Sequence, residues 1–268
     1  PPKINFKLKL RTSSKNSDQF ISDAQIEAIA YAINSIDSEE SISKYKRGFF
    51  LGDGTGVGKS RTISGILTEL WIKNTVNYKA IWVSINKNLE NDACKEFNIV
   101  TDLQKIKTPN WIKIKDIENT SQNVNINGVL YTTYGSLIND KCFSIILDWL
   151  SKSDNVTIIF DEAHTAKTAL SKKGKAVIKL QNKLDNPRII YSTATAASDI
   201  SQLHYMDRLG LWNTNHHQFC KQLERYGPVA MEMAALQLKH SGKLISRHLG
   251  FDGIYIDFKS YHLTKIEE

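Results

Sequence analysis

The stretch "GDGTGVGKS" at residues 52–60 alternates four glycines with other residues and ends in a lysine and a serine. A short apolar run, "GFFLG" (48–52), precedes it, and the amphipathic pattern "SRTISGILTELWIK" (60–73) follows it. A strand, a glycine turn and a helix in this order hold polyphosphates. The glycines let backbone N–H groups approach the oxygens, and the helix N-terminus adds partial positive charge. The stretch therefore predicts a phosphate-binding loop.

Two side chains at the end of this loop are expected to bind ATP and its metal ion. Lys59 would reach the β- and γ-phosphates, and the Ser60 hydroxyl would coordinate Mg²⁺. The strict pattern G-x-x-x-x-G-K-[ST] is not met, because Asp53 stands where its first glycine should be. A flexible glycine turn is the alternative, but the position between a strand and a helix favours phosphate binding. The predicted nucleotide-binding residues are Asp53, Gly54, Thr55, Gly56, Val57, Gly58, Lys59, Ser60 and Arg61.

An acidic cluster, "DEAH" (161–164), follows the apolar strand pattern "VTIIF" (156–160). Ligands of parallel α/β sheets bind beyond the carboxyl ends of the strands, where the glycine loop also lies. We expect Asp161 to hold Mg²⁺ and Glu162 to orient and deprotonate the attacking water. An Asp after a strand also often begins a helix, so this pair gains its meaning from the glycine loop about a hundred residues upstream.

A third strand pattern, "RIIYS" (188–192), ends at "TAT" (193–195). Its hydroxyl residues Thr193 and Thr195 are expected to bond to the acidic cluster or to His164, and so to report the nucleotide state elsewhere. A simple polar turn after the strand remains the alternative at this point.

Strand and helix patterns alternate along most of the chain. This order predicts an α/β fold with a mostly parallel sheet and helices on both faces. Three divisions follow: a flexible basic arm over residues 1–20, the α/β lobe over 21–210, and a helix-rich connector or subdomain over 211–268. The last division also contains a late strand pattern, "GIYIDF" (253–258).

The composition narrows the partners and the compartment. The 268 residues include 35 Lys and Arg against 28 Asp and Glu, a formal net charge of +7, which favours an anionic partner, nucleic acid first. No apolar run reaches the length of a membrane span, so no membrane partner is expected. Three widely spaced cysteines form neither a metal pattern nor a disulfide framework. They suit a reducing intracellular compartment, with cytoplasm and nucleus both open.

The segments "TGVGKS", "DEAH" and "TAT", in that order and spacing, resemble motifs I, II and III of the superfamily 2 helicases and translocases. In that superfamily the first glycine of the strict loop pattern is replaced, which accounts for Asp53. From about Gln25 to its end, with gaps in 98–128, the chain further resembles the strawberry notch family of helicase-like proteins. The segments that carry this resemblance are "GDGTGVGKSRTISGI", "FDEAHTAK" and "GKAVIKLQNKLDNPRIIYSTATAAS".

The resemblance implies roles that the residues alone do not. Gln25 would read the adenine, with Phe20 beside it. The segments "VSINKNL" (83–89) and "TTYGSL" (132–137) would touch a nucleic-acid backbone. The predicted contacts there are Ser84, Asn86, Thr133 and Tyr134.

The resemblance also implies a RecA-like first lobe that works with a second RecA-like lobe of the same polypeptide. The second lobe would supply arginine fingers, so we expect this lobe alone to bind ATP with little turnover. The expected function is that of a nucleic-acid-dependent ATPase, a helicase or translocase, with DNA favoured over RNA. The alternative is an ATP-gated scaffold for transcription or chromatin factors. For Arg247, in "ISRHLGF", a surface salt bridge is the default expectation, and contact with the nucleic acid or the second lobe is the alternative.

Overall fold

The computed structural model describes residues 3–4, 6–13, 20–37, 47–74, 77–118, 126–168, 171–194, 204–212 and 216–247. The strands are β1 (Gly48–Leu51), β2 (Tyr78–Ser84), β3 (Asn110–Ile112), β4 (Gly128–Thr133), β5 (Asn155–Asp161), β6 (Arg188–Ser192) and β7 (Leu244–Ile245). The helices are α1 (Asp23–Asp37), α2 (Lys59–Lys73), α3 (Glu90–Asp102), α4 (Ile114–Glu118), α5 (Tyr134–Ile138), α6 (Asp140–Ser151), α7 (Lys172–Lys183), α8 (His216–Tyr226) and α9 (Pro228–His240).

The strands form one sheet in the order β3-β4-β2-β5-β6-β1-β7, and each neighbouring pair is parallel. Side chains of β2 alternate between two cores. Ile81 and Val83 pack with α5, α6 and α7, whereas Trp82 packs on the opposite face with α1, α2 and α3. Such a sheet is buried on both faces, which is why its central strands are continuous apolar runs. The predicted parallel sheet with helices on both faces is confirmed.

This strand order brings the three predicted motifs to one edge of the sheet. β1 lies beside β6, and β6 lies beside β5, so the carboxyl ends of the three strands are neighbours. The glycine loop follows β1, the acidic cluster follows β5, and Thr193 follows β6. The topology therefore assembles one site from segments that are far apart in sequence.

The N-terminal segment is attached to the lobe. The buried carboxylate of Glu69, in α2, accepts hydrogen bonds from the backbone N–H groups of Lys9 and Leu10 at 2.8–3.1 Å. The Arg11 N–H donates to the Gln104 side chain at 2.6 Å, and the Leu10 side chain is buried. The prediction of a flexible arm is therefore wrong for residues 9–11, because a buried carboxylate holds their backbone.

After residue 212 the described part of the chain contains the helices α8 and α9, and residues 243–247 then join the sheet. Backbone N–H groups of Phe50, Gly52 and Gly54 donate to the carbonyls of Lys243, Ile245 and Arg247 at 2.7–2.8 Å. Residues 243–247 thus run along β1 and the start of the glycine loop, a pairing that the sequence did not predict. The strand pattern at 253–258 lies outside the described residues. Within the described ranges, no helix combines the length and apolar character needed to cross a membrane.

Candidate nucleotide site

The glycine loop has a backbone that suits an anion. Gly56 and Gly58 have φ angles of +87° and +86°, in the left-handed region that favours glycine. Left-handed turns of this kind direct successive N–H groups into a concave surface, and α2 begins at Lys59 directly behind it. The loop and the helix N-terminus together provide the geometry of a phosphate cradle.

The predicted catalytic lysine is folded onto this loop. Its Nζ donates to the Asp53 carbonyl at 3.1 Å and to the Gly54 carbonyl at 3.4 Å. Bound phosphates would compete with these two carbonyls for the Lys59 ammonium. The Lys59 ammonium therefore lies against the start of the loop.

The carboxylate of Asp161 lies at the end of β5 with mostly long hydrogen bonds. Its Oδ2 accepts from Trp82 Nε1 and Ser84 Oγ, both at 3.4 Å, and its Oδ1 accepts from the Glu162 N–H at 3.0 Å. Burial raises the pKa of Asp161 above its ordinary value, while Ser192, Trp82, the Glu162 N–H and Lys59 act in the other direction. A carboxylate in this position has oxygen lone pairs available for a cation.

Glu162 has a backbone that is unusual for its residue type. Its φ and ψ are both 48°, in the left-handed region. A non-glycine residue there costs roughly 1–2 kcal/mol, and such residues concentrate at functional sites. The conformation directs the carboxylate towards His164, whose Nδ1 lies 3.3 Å from Glu162 Oε2. The same Nδ1 lies 2.9 Å from Thr193 Oγ1. Thr193 thus contacts His164 in this structure, whereas Thr195 lies outside the described residues.

A cavity of about 520 Å³ brings the loop and the acidic pair together. This volume falls in the range of small-molecule sites. Its lining residues are Gln25, Thr55, Gly56, Gly58, Lys59, Ser60, Arg61, Leu89, Asp92, Ala93, Glu96, Tyr131, Asp161 and Glu162. The sequence did not predict that α3 lines this cavity, because the only sequence signal in that segment was a helical pattern. Arg61 Nε pairs with Glu96 at 2.6 Å across this side of the cavity.

Two residues of the cavity suit Mg²⁺. The Ser60 hydroxyl and the Asp161 carboxylate both line it, and Mg²⁺ prefers oxygen ligands from one or two protein groups together with phosphates and water. The donor set therefore fits the predicted ion. Among the described residues, no group of three or more His, Cys, Asp or Glu side chains is arranged to hold a metal ion.

Gln25 contacts the glycine loop. Its Nε2 donates to the carbonyls of Val57 and Gly58 at 3.1 and 3.3 Å, and its Oε1 accepts from the Ser22 N–H at 3.1 Å. The side chain is therefore tied to the end of the loop, while adenine recognition stays a prediction. Phe20 is largely exposed.

The predicted nucleic-acid contacts divide into two pairs. Ser84 and Tyr134 are buried, and the Tyr134 hydroxyl donates to the Asp161 carbonyl at 2.9 Å, so the prediction for these two side chains is wrong in this structure. Asn86 and Thr133 lie at the carboxyl edge of the sheet. Asn86 Oδ1 accepts from the Asn88 N–H at 2.9 Å, and Thr133 Oγ1 accepts from the Ser136 N–H at 3.3 Å.

Asp53 and Arg247 form a pair that the sequence did not predict. Asp53 is fully buried below the loop, and its Oδ2 lies 2.6 Å from Arg247 Nη2. In this structure Arg247 binds the glycine loop of its own lobe and also pairs with the partly exposed Glu27 at 3.2 Å. The expected salt bridge is therefore present, and the buried Asp53 is its unexpected second partner.

Comparison with known proteins agrees with this geometry. Residues 1–268 match the family described as "P-loop containing NTP hydrolase pore-1". The chain is 37% identical to mouse protein strawberry notch homolog 2 over 95% of its own length and 19% of that protein. It is 34% identical to Drosophila protein strawberry notch, over 99% of its own length and 17% of that protein. Arabidopsis protein FORGETTER 1 is 32% identical, with 94% and 20% covered.

A solved structure supports the fold. The Sulfolobus solfataricus SWI2/SNF2 ATPase core in complex with dsDNA superposes with a TM-score of 0.63 at 17% identity. The superposition covers 91% of this chain and 47% of that one. The RecA-like fold and the resemblance to the strawberry notch family are confirmed. The chain spans about a fifth of the length of the curated relatives it matches, as the 19%, 17% and 20% shares show.

Proposed function

This chain belongs to the P-loop containing NTP hydrolase pore-1 family and is similar to the strawberry notch proteins, and we propose that it is the ATP-binding first lobe of a nucleic-acid-dependent ATPase. The observation that carries the proposal is the shared cavity. Lys59 and Ser60 of the glycine loop line it together with Asp161 and Glu162. These groups are what phosphoryl transfer to water requires.

Each residue has a distinct part in the proposed reaction. Lys59 leaves the Asp53 and Gly54 carbonyls and binds the phosphates. Ser60 and Asp161 would hold Mg²⁺, which would neutralise charge on the phosphates. Glu162 orients the attacking water and accepts its proton. His164, 3.3 Å from Glu162 Oε2, fixes the orientation of that carboxylate.

The partner proposed for this lobe is nucleic acid, with DNA favoured over RNA. The net charge of +7 supports an anionic partner, and the SWI2/SNF2 core that shares the fold is described in complex with dsDNA. We propose Asn86 and Thr133 as contacts to the nucleic-acid backbone, since they lie at the carboxyl edge of the sheet. A second RecA-like lobe of the same polypeptide would complete the ATPase and supply arginine fingers. We place this activity in a reducing intracellular compartment, which the three widely spaced cysteines suit.

A scaffold that responds to ATP in transcription or chromatin regulation is the second candidate. One observation favours it. Val229, Met233 and Leu236 of α9 are each more than 60% exposed and follow helical spacing. Exposed apolar patches of this kind mark protein–protein contacts.

Binding and turnover are tested separately. We expect this chain to bind ATP·Mg²⁺ in isothermal titration calorimetry, to lose that binding in Lys59→Ala, and to hydrolyse ATP only weakly. A polypeptide extended beyond residue 268 through a second lobe is then assayed with single-stranded DNA, duplex DNA and RNA. Stimulation by one polymer, abolished in Glu162→Gln while ATP still binds, supports a motor. ATP binding without stimulation favours the scaffold, and no ATP binding by either polypeptide overturns the proposal.

A further inference from the structure

A buried carboxylate lies at the start of the phosphate loop. The side chain of Asp53 is fully inaccessible to solvent. Its Oδ1 accepts from the backbone N–H of Arg247 at 3.0 Å and from Arg247 Nε at 3.1 Å. Its Oδ2 accepts from Arg247 Nη2 at 2.6 Å. Two parallel side-chain bonds of this kind form the strongest geometry available to an arginine and a carboxylate.

Asp53 also contacts the catalytic lysine through its main chain. Its carbonyl accepts from Lys59 Nζ at 3.1 Å, while its carboxylate faces Arg247. The next residue is held as well, because the Gly54 N–H donates to the Arg247 carbonyl at 2.7 Å. Arg247 thus binds two consecutive loop residues, Asp53 by its side chain and backbone N–H and Gly54 by its carbonyl.

The opposite end of the guanidinium is anchored on α1. Arg247 Nη1 donates to the Ala24 carbonyl at 2.6 Å and to Glu27 Oε2 at 3.2 Å. Gln25, between these two residues, donates to the Gly58 carbonyl at the far end of the loop. The α1 helix therefore holds the start of the loop through Arg247 and the end of the loop through Gln25.

The guanidinium of Arg247 neutralises the charge of the buried Asp53 carboxylate. A polyphosphate bound in the loop would be repelled by an uncompensated carboxylate below it, and burial makes that repulsion stronger than it would be in water. Arginine stays charged in proteins and can cancel the carboxylate permanently. Burial by itself would lower the pKa of Arg247, but Asp53 and Glu27 raise it above its ordinary value.

We propose that Arg247 is a positioning residue of the nucleotide site, which neutralises Asp53 and thereby makes the loop fit for polyphosphate. Through Arg247, the segment 243–247 that follows α9 contacts the loop proposed to bind the phosphates. This inference rests on the proposed ATP binding. A sum of charges gives its consequence: the wild-type pair is neutral, Arg247→Met leaves one negative charge, Asp53→Asn leaves one positive charge, and the double variant is neutral again.

The test is a double-mutant cycle on this chain with ATP, ADP and AMP in the presence of Mg²⁺, measured by calorimetry. Arg247→Met is expected to weaken ATP binding more than about tenfold, and ADP and AMP binding progressively less, because repulsion grows with ligand charge. Asp53→Asn is expected to bind ATP at least as tightly as the wild type. Asp53→Asn/Arg247→Met is expected to bind within about threefold of the wild type. Asp148→Asn, which removes an exposed carboxylate paired with Lys152 at 2.7 Å, is the control and should leave the affinity unchanged.

Equal losses for the three nucleotides in Arg247→Met, with no recovery in the double variant, would mean that Arg247 is merely structural and would overturn the inference. Should Arg247→Met fail to fold, the double variant carries the test, and a loss of ATP affinity beyond about tenfold there would also overturn it. If neither the wild type nor Lys59→Ala binds ATP, the proposed function itself is rejected instead.

Discussion

The imidazole of His164 joins two motifs through a single nitrogen: its Nδ1 lies 2.9 Å from the Thr193 hydroxyl. The same nitrogen lies 3.3 Å from Glu162 Oε2. Thr193 follows β6 and Glu162 follows β5, so one ring connects the ends of neighbouring strands. A shift of Thr193 would reach the carboxylate that is proposed to activate water.

Removing the Thr193 hydroxyl should therefore separate binding from turnover. Thr193→Val keeps the shape of the side chain but loses the contact with His164. In the polypeptide extended through a second lobe, we expect ATP affinity to change less than threefold and hydrolysis to fall about tenfold, since Glu162 loses its oriented neighbour. Thr193→Ser retains the hydroxyl and should keep most of the activity. Equal turnover by the Val and Ser variants would contradict this role.

The left-handed backbone of Glu162 predicts that replacing this residue by glycine abolishes ATP hydrolysis but does not strain the fold as alanine does. Glu162→Gly and Glu162→Ala both remove the carboxylate, so neither should hydrolyse ATP. Glycine accepts φ of +48° without strain, whereas alanine does not. We expect Glu162→Gly to exceed Glu162→Ala by about 1 kcal/mol in the free energy of unfolding, measured with urea. An alanine variant as stable as the glycine variant would show that the backbone at this position is unstrained.

Gly58 serves both the fold and the ligand. Its φ is +86°, and a Cβ there would collide with Gln25 Nε2. Gly58→Ala should lower the free energy of unfolding by about 1–3 kcal/mol and weaken ATP binding more than about tenfold, because the Cβ strains the left-handed backbone and displaces the Gln25 amide from the end of the loop. Gly227→Ala is the matched control. Its φ is +70°, but no atom lies within 4 Å of its Cβ position, so it should cost stability without changing ATP affinity. Unchanged ATP affinity in Gly58→Ala would contradict the argument.

The parts of this site that the sequence predicted are those encoded locally. The glycine loop and "DEAH" each follow a continuous apolar run, and parallel strands deliver their carboxyl ends to one edge. Lys59, Ser60, Asp161 and Glu162 consequently line one cavity, as their positions in the sequence indicate. The apolar runs also predicted β1, β5 and β6, because strands that are buried on both faces are continuously apolar.

The parts that escaped prediction depend on long-range geometry. The pair of Asp53 and Arg247 spans 194 positions, and no local pattern couples them. β7 has two residues and is held by carbonyls that pair with β1, a contact without a sequence signature. Ser84 and Tyr134 have side chains that suit phosphate contacts, yet the ends of β2 and β4 turn them towards Asp161. The family resemblance indicated which segments would contact nucleic acid, but the direction of each side chain is set by packing in the folded lobe.

A lysine at the opposite end of the sheet should make the stability of the fold depend on pH. Lys79 is buried at the start of β2, its Nζ donates to the Trp149 carbonyl at 2.7 Å, and it lies 5.4 Å from the centre of the Trp149 ring. Burial, followed by the charge of Lys152, lowers the pKa of Lys79 from 10.5 to about 8, while Asp148 acts in the other direction. The native ammonium therefore loses its proton in a range of pH where the unfolded chain keeps it.

The sign of this pH dependence follows from the number of protons that Lys79 binds in the native and unfolded chains. Between pH 8 and 10.5 the unfolded chain binds more protons at this site than the native chain, so stability rises with pH there and the gain is lost below pH 8. Lys79→Met removes the titrating group at similar volume. We expect the free energy of unfolding of the wild type, relative to Lys79→Met, to increase by on the order of 1 kcal/mol from pH 7 to pH 9 in urea titrations. Buried tyrosines such as Tyr78 and Tyr191, whose pKa values burial raises, are common to both proteins and cancel in the difference. Parallel curves for the two proteins across this range would show that Lys79 keeps its charge in the folded state.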